Sequence, residues 1–234
     1  MSNIYLSKFS HPLLNDYLMK LGHKICTVNG TSDVYEAISS HADIYMCKLG
    51  VDSHSPLIIG DPSTLGSSYP ENIKYNAACI GKYFIHNLSY TAPSLIAKAK
   101  ELNMHLVDLA QGYTKCNMVI VSDAAVITSD AGIAKTLQQC TDIDILLISS
   151  GHVTLNGFPY GFLGGASGKV GNKIIFNGNL SIHPDFDKIR SFIESYDLSV
   201  KYFPKYPLED IGSIIEAEGY IYEEARDHTD FYTT

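Results

Sequence analysis

The chain has 234 residues, of which 45% are hydrophobic and 18% are charged, as is typical of a folded globular protein. Its formal net charge is -8, and no segment of the sequence carries a basic stripe. This composition argues against non-specific nucleic-acid binding, which needs clustered Lys and Arg side chains.

Targeting and redox signals point to one compartment. The first residues lack the basic and apolar regions of a secretory signal, and no apolar run approaches the roughly 20 residues of a membrane span. The five cysteines are an odd number without CxxC spacing. We therefore expect reduced thiols, a cytoplasmic location and no membrane partner.

The N-terminal part of the chain predicts alternating strands and helices. Ser10 is a suitable cap for a helix that Pro12 opens and Gly22 ends, because these residue types favour those positions. The expected elements, in chain order, are a strand at residues 4–6, a helix from Pro12, a strand at Lys24–Val28, a short helix at 33–39 and an alternating strand at 41–47.

The middle of the chain contains three similar stretches that begin at Asn76, Asn117 and Asn172. Each continues with an apolar strand, a turn, a second strand, a His or Thr, a helix and a third strand. The helices are expected at 93–102, after Asp130 with Cys140 inward, and after Pro184; the returning strands are expected at 104–109, 143–148 and 198–203. A recurring unit of about 40 residues indicates a propeller or a solenoid.

The C-terminal segment completes the predicted ring. Strands at 211–217 and 220–222 would precede residues 4–6 and pair the two chain ends, which leaves no free sheet edge. We therefore expect one domain at residues 1–222, followed by a polar tail at 223–234.

One repeat carries an insertion at residues 155–168, which makes it a candidate functional loop. Its glycines, Gly164 and Gly165 among them, could bring backbone N–H groups close to an anion, or could form a tight apolar crossover. The segment is not a Walker A loop, because Leu163 and Val170 occupy two of its defining positions.

The arrangement of five ββαβ units resembles the pentein fold, the α/β propeller of arginine and agmatine deiminases, dimethylarginine hydrolases and amidinotransferases. Residues 150–154 look like the family's Gly-His-Val-Asp element, which implies that His152 is an acid/base, with Thr154 in place of the Asp. Residues 210–216 look like the segment that carries the nucleophilic Cys, with Glu216 at the Cys position. The chain also resembles uncharacterised bacterial proteins that contain the sequence of residues 161–168.

These departures predict a pentein-like five-bladed α/β propeller that has lost the standard thiol chemistry. Amidine hydrolysis needs a thiolate nucleophile, which Glu216 cannot replace, and a fold alone does not establish a function. We therefore expect no hydrolysis of arginine, agmatine or methylated arginines.

The candidate site residues have the polar or flexible character that a binding pocket needs. An alternating strand would place His41, Asp43, Tyr45 and Cys47 on one face. Glu209, Asp210, Glu216 and Glu218 could bind a cationic group, or could simply be surface acids. The predicted ligand-binding residues are Asp43, His152, Gly164, Gly165, Ser167 and Glu216, and the catalytic candidates are His152, Cys47 and Cys116.

Three functional hypotheses remain open. The first is a pentein-like protein that binds a small polar or cationic ligand in its central pocket, without a metal or a cofactor. The second is an amidine or amide hydrolase that uses Cys47 or Cys116 as a relocated nucleophile and His152 as the base. The third is a plain α/β nucleotide-binding domain, which the strand after the glycine-rich loop disfavours. The sequence leaves the oligomeric state open.

Overall fold

The computed structural model describes residues 1–219, 221–224 and 232–233. In these residues the helices are α1 (Pro12–Lys20), α2 (Ala42–Tyr45), α3 (Pro93–Glu101), α4 (Thr114–Asn117), α5 (Ala131–Cys140) and α6 (Phe186–Glu194). The strands are β1 (Asn3–Ser7), β2 (Lys24–Val28), β3 (Met46–Lys48), β4 (Leu57–Ile59), β5 (Ala78–Ile80), β6 (Tyr83–His86), β7 (His105–Asp108), β8 (Met118–Ser122), β9 (Ala125–Thr128), β10 (Asp144–Leu147), β11 (Ser167–Val170), β12 (Lys173–Phe176), β13 (Ser199–Lys201), β14 (Ile215–Ala217), β15 (Ile221–Glu223) and β16 (Tyr232–Thr233). The fold is therefore mixed α/β, as predicted.

The described strands form five small sheets that share one pattern of pairing. Their strand orders are β5-β6-β7, β8-β9-β10, β11-β12-β13, β14-β1-β2-β16 and β3-β4-β15. In each sheet the first strand is antiparallel to the second, and the third is parallel to the second. A parallel return needs a crossover, which α1, α3, α5 and α6 supply in four of the sheets.

The first strands of neighbouring sheets pack against one another, and the helices cover the sheets. Strand β5 contacts β3 and β8, and β11 contacts β8 and β14. Helix α5 buries Ile133 and Leu137 in a core cluster that also includes Ile80 and Ile85 of the adjacent sheet. Burial of each such side chain contributes about 1.5–3 kcal/mol, so these apolar faces hold the sheets in place.

The third predicted repeat is wrong by one strand. Residues 173–176 form the second strand of their sheet, and the first strand is β11, which begins inside the predicted insertion. The predicted second strand is a 3-10 helix at Leu180–Ile182. Strand β11 does not look like a strand in the sequence because it contains Gly168. Glycine is needed there, since a Cβ would lie 1.9 Å from the carbonyl oxygen of Ile214. Asn172 is consequently not equivalent to Asn76 and Asn117.

The strand predicted at residues 41–47 is also wrong. His41 is at the N-cap position of helix α2, without a side-chain capping hydrogen bond, and extended backbone begins only at Met46. The helical turn breaks the alternation that would have placed Asp43 and Cys47 on one face. A 3-10 helix at Glu36–Ile38 lies in the short helix that was predicted just before this segment.

The C-terminal segment contributes to two sheets. Strand β14 pairs antiparallel with β1, as predicted. Strand β15 instead pairs parallel with β4, in a different sheet. The polar tail predicted at 223–234 lies mostly outside the described residues, and Tyr220 also lies outside them. Within the described part of the tail, Tyr232–Thr233 pair with β2.

Two local predictions about the helices are wrong. The cap of α1 is His11, whose side chain accepts a hydrogen bond from the Leu13 N–H, whereas Ser10 donates to Asn15. Cys140 is the last residue of α5 and is exposed, because the amphipathic face of that helix ends at Leu137.

Candidate functional site

An open cavity of about 750 Å³, here called the outer cavity, is lined mainly by loops that connect the sheets and helices. Its walls come from the end of β1, the loop before α2, the segment before β14 and the loop at residues 155–158. The charged side chains among its lining residues are Glu36, Glu209 and Asp210, and His41 adds an imidazole. Three aromatic side chains, Phe9, Tyr35 and Phe158, complete a polar and aromatic lining.

The backbone holds the buried carboxylate of Asp210 in place. Its Oδ1 accepts a hydrogen bond from the N–H of Gly212 at 3.0 Å, and its Oδ2 accepts one from the N–H of Phe162 at 2.9 Å. Gly212 and Ser213 both have left-handed backbone angles, with φ of 72° and 73°, so the chain turns sharply into β14. This turn requires glycine at 212, because a Cβ there would lie 2.1 Å from the Cβ of His41.

The glycine-rich segment packs closely around the same carboxylate. A Cβ on Gly165 would lie 2.1 Å from Asp210 Oδ1, and a Cβ on Gly164 would lie 2.5 Å from the carbonyl oxygen of Cys116. The Gly165 N–H donates to the Cys116 carbonyl, and the Gly165 carbonyl accepts from the N–H of Ser213. These contacts favour the interpretation of the segment as a tight crossover, because its backbone groups already have protein partners.

His41 lies next to Asp210, with its Nδ1 3.7 Å from Asp210 Oδ1. Burial lowers the pKa of His41 to about 4, an effect that the charge of Asp43 opposes. Burial raises the pKa of Asp210 to about 6, although two backbone hydrogen bonds and Lys115 favour its ionised form. At neutral pH the imidazole is therefore neutral and the carboxylate ionised, so this contact is not an ion pair.

A buried polar connection lies behind the outer cavity. Ser213 Oγ donates to Asp43 Oδ2 at 2.6 Å, and Lys115 Nζ donates to Ser213 Oγ at 3.0 Å. Asp43 is completely buried, and its Oδ1 has no hydrogen-bond partner among the described residues. Burial lowers the pKa of Lys115 and raises that of Asp43, and the attraction between the two charges opposes both shifts. These three side chains are called the polar wall below.

Asn76 and Cys116 support the polar wall from one side. Asn76 Nδ2 donates to the Asp43 carbonyl at 3.0 Å, and Asn76 Oδ1 accepts from the N–H of Lys115 at 2.9 Å. The Cys116 thiol donates to the same Asn76 oxygen at 3.5 Å. Burial and the charges of Asp43 and Asp210 raise the pKa of this thiol well above its usual range. Asn76 thus has a structural role, as its repeated position in the sequence indicates.

His152 lies apart from Asp43 and Glu216. It lines a cavity of about 470 Å³ that adjoins the outer cavity, with which it shares Leu155, Asn156, Phe158 and Glu209. The His152 ring is exposed and packs edge-on against His183 at 5.1 Å. Neither Asp43 nor Glu216 is among the lining residues of these two cavities.

Glu216 links three elements of the fold. Its Oε1 accepts a hydrogen bond from Ser2 Oγ at 2.8 Å, and its Oε2 accepts one from the N–H of Gly171 at 3.0 Å. Its backbone carbonyl accepts a hydrogen bond from Lys48 Nζ. The side chain thus already has protein partners on both oxygens.

Cys47 and Ser167 line a second space, here called the inner cavity, which has a volume of about 40 Å³. It lies among strands β3, β5, β8, β11 and β14, the first strands of the five sheets. The buried Cys47 thiol lies 3.5 Å from the carbonyl oxygen of Ala77. Among the described residues, no group of three or more His, Cys, Asp or Glu side chains is arranged to hold a metal ion.

Sequence reasoning singled out His41 and Asp210 but missed Lys115 and Ser213. Lys115 directly precedes Cys116 at a repeat junction, in a mainly apolar stretch that has no other charged residue between Asp108 and Asp123. An isolated charge in such a stretch was the available signal, because a buried ammonium group needs a polar partner. Nothing local to Ser213 indicates its partners, which come from sequence positions 98 and 170 residues away.

The described residues form a mixed α/β protein with five small sheets, an acidic and aromatic outer cavity and a small inner cavity. The chain belongs to a family of unknown function, DUF6873, whose model matches residues 53–215. That range contains Lys115, Asp210 and Ser213, whereas His41 and Asp43 precede it. No curated protein and no solved structure matches the chain. In the described part of the chain, no helix has the length and apolar character to cross a membrane.

Proposed function

We propose that this protein is a pentein-like α/β propeller that binds a small organic cation, of the amine or guanidinium type, in the outer cavity. The identical pairing pattern of the five sheets supports the propeller arrangement, as does a cavity to which the first strand of every sheet contributes. Cysteines without disulfide partners are typical of a reducing compartment, which supports the cytoplasm as its location.

The charge of the outer cavity carries the ligand proposal. Its lining contains three carboxylates and no Lys or Arg, and His41 stays neutral above its pKa of about 4. Asp210 becomes ionised above about pH 6, so a cation entering at neutral pH meets a buried negative charge that protein N–H groups hold in place. Hydrogen bonds to an ionised group are roughly twice as strong as neutral ones, which favours ammonium or guanidinium donors.

The aromatic side chains and the size of the cavity favour an organic cation over a bare metal ion. The rings of Tyr35 and Phe158 lie 5.7 Å apart at the cavity wall, and such faces attract alkylammonium and guanidinium groups. A volume of about 750 Å³ lies within the range of small-molecule sites. Asn156, on the same wall, adds an uncharged amide for orientation.

The alternative, hydrolysis of an amidine or amide bond, needs a reactive thiolate. Burial, together with the nearby carboxylates, disfavours ionisation of Cys116, and its thiol donates to an amide oxygen instead of to a histidine. A thiol is a weak nucleophile unless a base or a nearby cation favours its thiolate. The binding function therefore has the better structural support.

Calorimetric titration with agmatine, putrescine and choline tests this proposal, with urea and glutarate as neutral and anionic probes. We expect at least one cation to bind to the wild type, and Asp210→Asn to weaken that binding at least tenfold, since about 1.4 kcal/mol corresponds to a factor of ten. The matched control is Asp123→Asn, an exposed acid in the β8–β9 turn.

Three results would contradict the proposal. The first is that none of the cations binds, and the second is that Asp210→Asn binds them as well as the wild type does. The third is release of ammonia, urea or alkylamine from agmatine or arginine that Cys116→Ser or Cys47→Ser abolishes, which would establish the hydrolase instead.

A further inference from the structure

The inner cavity has the opposite charge pattern from the outer one. Its lining includes Lys48, Lys115 and Lys169, which come from three different sheets or their entry segments, and contains no carboxylate side chain. Its other lining groups are apolar side chains, glycines, the thiols of Cys47 and Cys79, and the hydroxyl of Ser167. Three lysines in the lining of one small space make its local field positive.

Each lysine keeps hydrogen-bond donors that its protein partners do not use. Lys48 Nζ donates to the carbonyl oxygens of Val51 and Glu216, both at 3.1 Å. Lys115 Nζ makes one hydrogen bond among the described residues, to Ser213. An ammonium group has three donors, so one remains on Lys48 and two remain on Lys115. Lys169 forms only a long ion pair, in which its Nζ lies 3.9 Å from a carboxylate oxygen of the exposed Asp52.

The lysines oppose one another electrostatically. The pKa of Lys48 is lowered to about 8, mainly by burial; the charge of Glu216 opposes this shift, the charges of Lys169 and Lys115 contribute to it, and Asp52 opposes it. Burial also lowers the pKa of Lys115. A negative charge placed among these groups would offset both the burial and the mutual repulsion.

We propose that the inner cavity binds a small inorganic anion, of about the size of chloride, through Lys48 and Lys115, with Lys169 at its edge. The volume of about 40 Å³ suits an ion of this class, because a single water molecule needs roughly 10–15 Å³ of such space. The site is separate from the outer cavity, since the two share no lining residue.

Thermal unfolding in sodium chloride, compared with sodium gluconate at equal ionic strength, tests this site. Gluconate is too large for the inner cavity, so it reports only the general effect of salt. We expect chloride to raise the melting temperature by about 5 °C more than gluconate at a concentration near 100 times its dissociation constant. Nitrate and phosphate arms set the size limit, and stabilisation by phosphate alone would overturn the chloride-sized assignment.

Lys48→Met should abolish the difference between chloride and gluconate, and Lys169→Met should reduce it. The matched control Lys100→Met changes an exposed lysine and should keep the full difference. If Lys48→Met does not fold, crystals of the wild type grown in sodium bromide give an independent readout. An anomalous peak between the Nζ atoms of Lys48 and Lys115 supports the proposal. The proposal is overturned if the cavity holds water alone, or if a folded Lys48→Met responds to chloride as the wild type does.

Discussion

The two cavities differ in size, charge and the kind of structure that lines them. The outer cavity, of about 750 Å³, is lined mainly by loops and carries carboxylates, whereas the inner cavity, of about 40 Å³, is lined mainly by strands and carries lysines. Loops can change in length and sequence without disturbing the packing of a sheet. The outer cavity is therefore the place where ligand specificity can vary, and the inner one is constrained by the fold.

The polar wall connects these opposite environments. Lys115 lines the inner cavity, and through Ser213 it contacts the buried Asp43, whose charge interacts with His41 and Asp210 of the outer cavity. Removing one charge of this wall should therefore affect one cavity directly and the whole fold indirectly. The predictions below use this arrangement to separate the two regions, from the largest expected effect to the smallest.

Lys115→Met should have the largest effect. It leaves Asp43 buried without its cation, and removal of one partner of a buried charge pair typically costs about 3–5 kcal/mol of unfolding free energy. Urea unfolding monitored by circular dichroism measures this cost. The double variant Lys115→Met with Asp43→Asn should be more stable than the single variant, because no unpaired charge remains. If the double variant were less stable than Lys115→Met, the electrostatic account of the polar wall would be wrong.

Gly165→Ala should disturb the outer cavity but not the inner one. The new Cβ would lie 2.1 Å from Asp210 Oδ1, and that carboxylate cannot move without losing its hydrogen bonds from Phe162 and Gly212. Overpacking of this kind costs about 1–3 kcal/mol of unfolding free energy. We expect calorimetry to show loss of cation binding, whereas the response to chloride in thermal unfolding remains.

The control for this substitution is Gly132→Ala in helix α5. There the nearest atom to the new Cβ is Asp130 Oδ1, at 3.1 Å, and alanine favours a helix by up to about 1 kcal/mol over glycine. A Gly165→Ala protein that binds cations as tightly as the wild type would show that the position of Asp210 does not govern the outer cavity.

Much of the fold could be predicted from the sequence, because its local signals are strong. Strand β2 was predicted with its observed bounds, and Pro12 and Asp130 correctly marked the start of helices α1 and α5. Strand β11 was missed because Gly168 and Lys169 replace the apolar residues of a buried strand. Position 168 needs glycine because the backbone of residue 214 packs closely against it, and Lys169 lines the inner cavity. A local sequence pattern reveals neither of these contacts.

The candidate site was predictable only in part, for a related reason. Asp210 lies in a segment with an acidic character that the sequence displays, so its possible role toward a cation could be stated in advance. The three lysines of the inner cavity lie 121 residues apart between the first and the last, and no local spacing relates them. Their convergence results from the packing of β3, β8 and β11 in three different sheets.

The smallest predicted effect is on the way the unfolding free energy changes with pH, through the pKa values of His41 and Asp210 in the outer cavity. The folded state holds the pKa of His41 at about 4, below its ordinary value of 6.5, so only the unfolded state binds this proton between those pH values. Stability should therefore fall as the pH decreases from 6.5 to 4. Asp210 acts in the opposite sense, because its pKa is raised from 3.8 to about 6 and the folded state binds its proton more tightly.

His41→Gln separates these two contributions, since glutamine is polar but does not titrate. Between pH 7 and pH 5, the wild type should lose about 1–2 kcal/mol more unfolding free energy than His41→Gln does, from urea unfolding at each pH. His86→Gln is the matched comparison in another sheet, because burial also lowers the pKa of His86 to about 4. Since His86 lies outside the outer cavity, only His41→Gln should also change the pH dependence of cation binding. Equal pH dependence of stability in the wild type and His41→Gln would show that folding does not lower the pKa of His41, and its imidazolium would then offset part of the negative charge of the outer cavity below about pH 6.5.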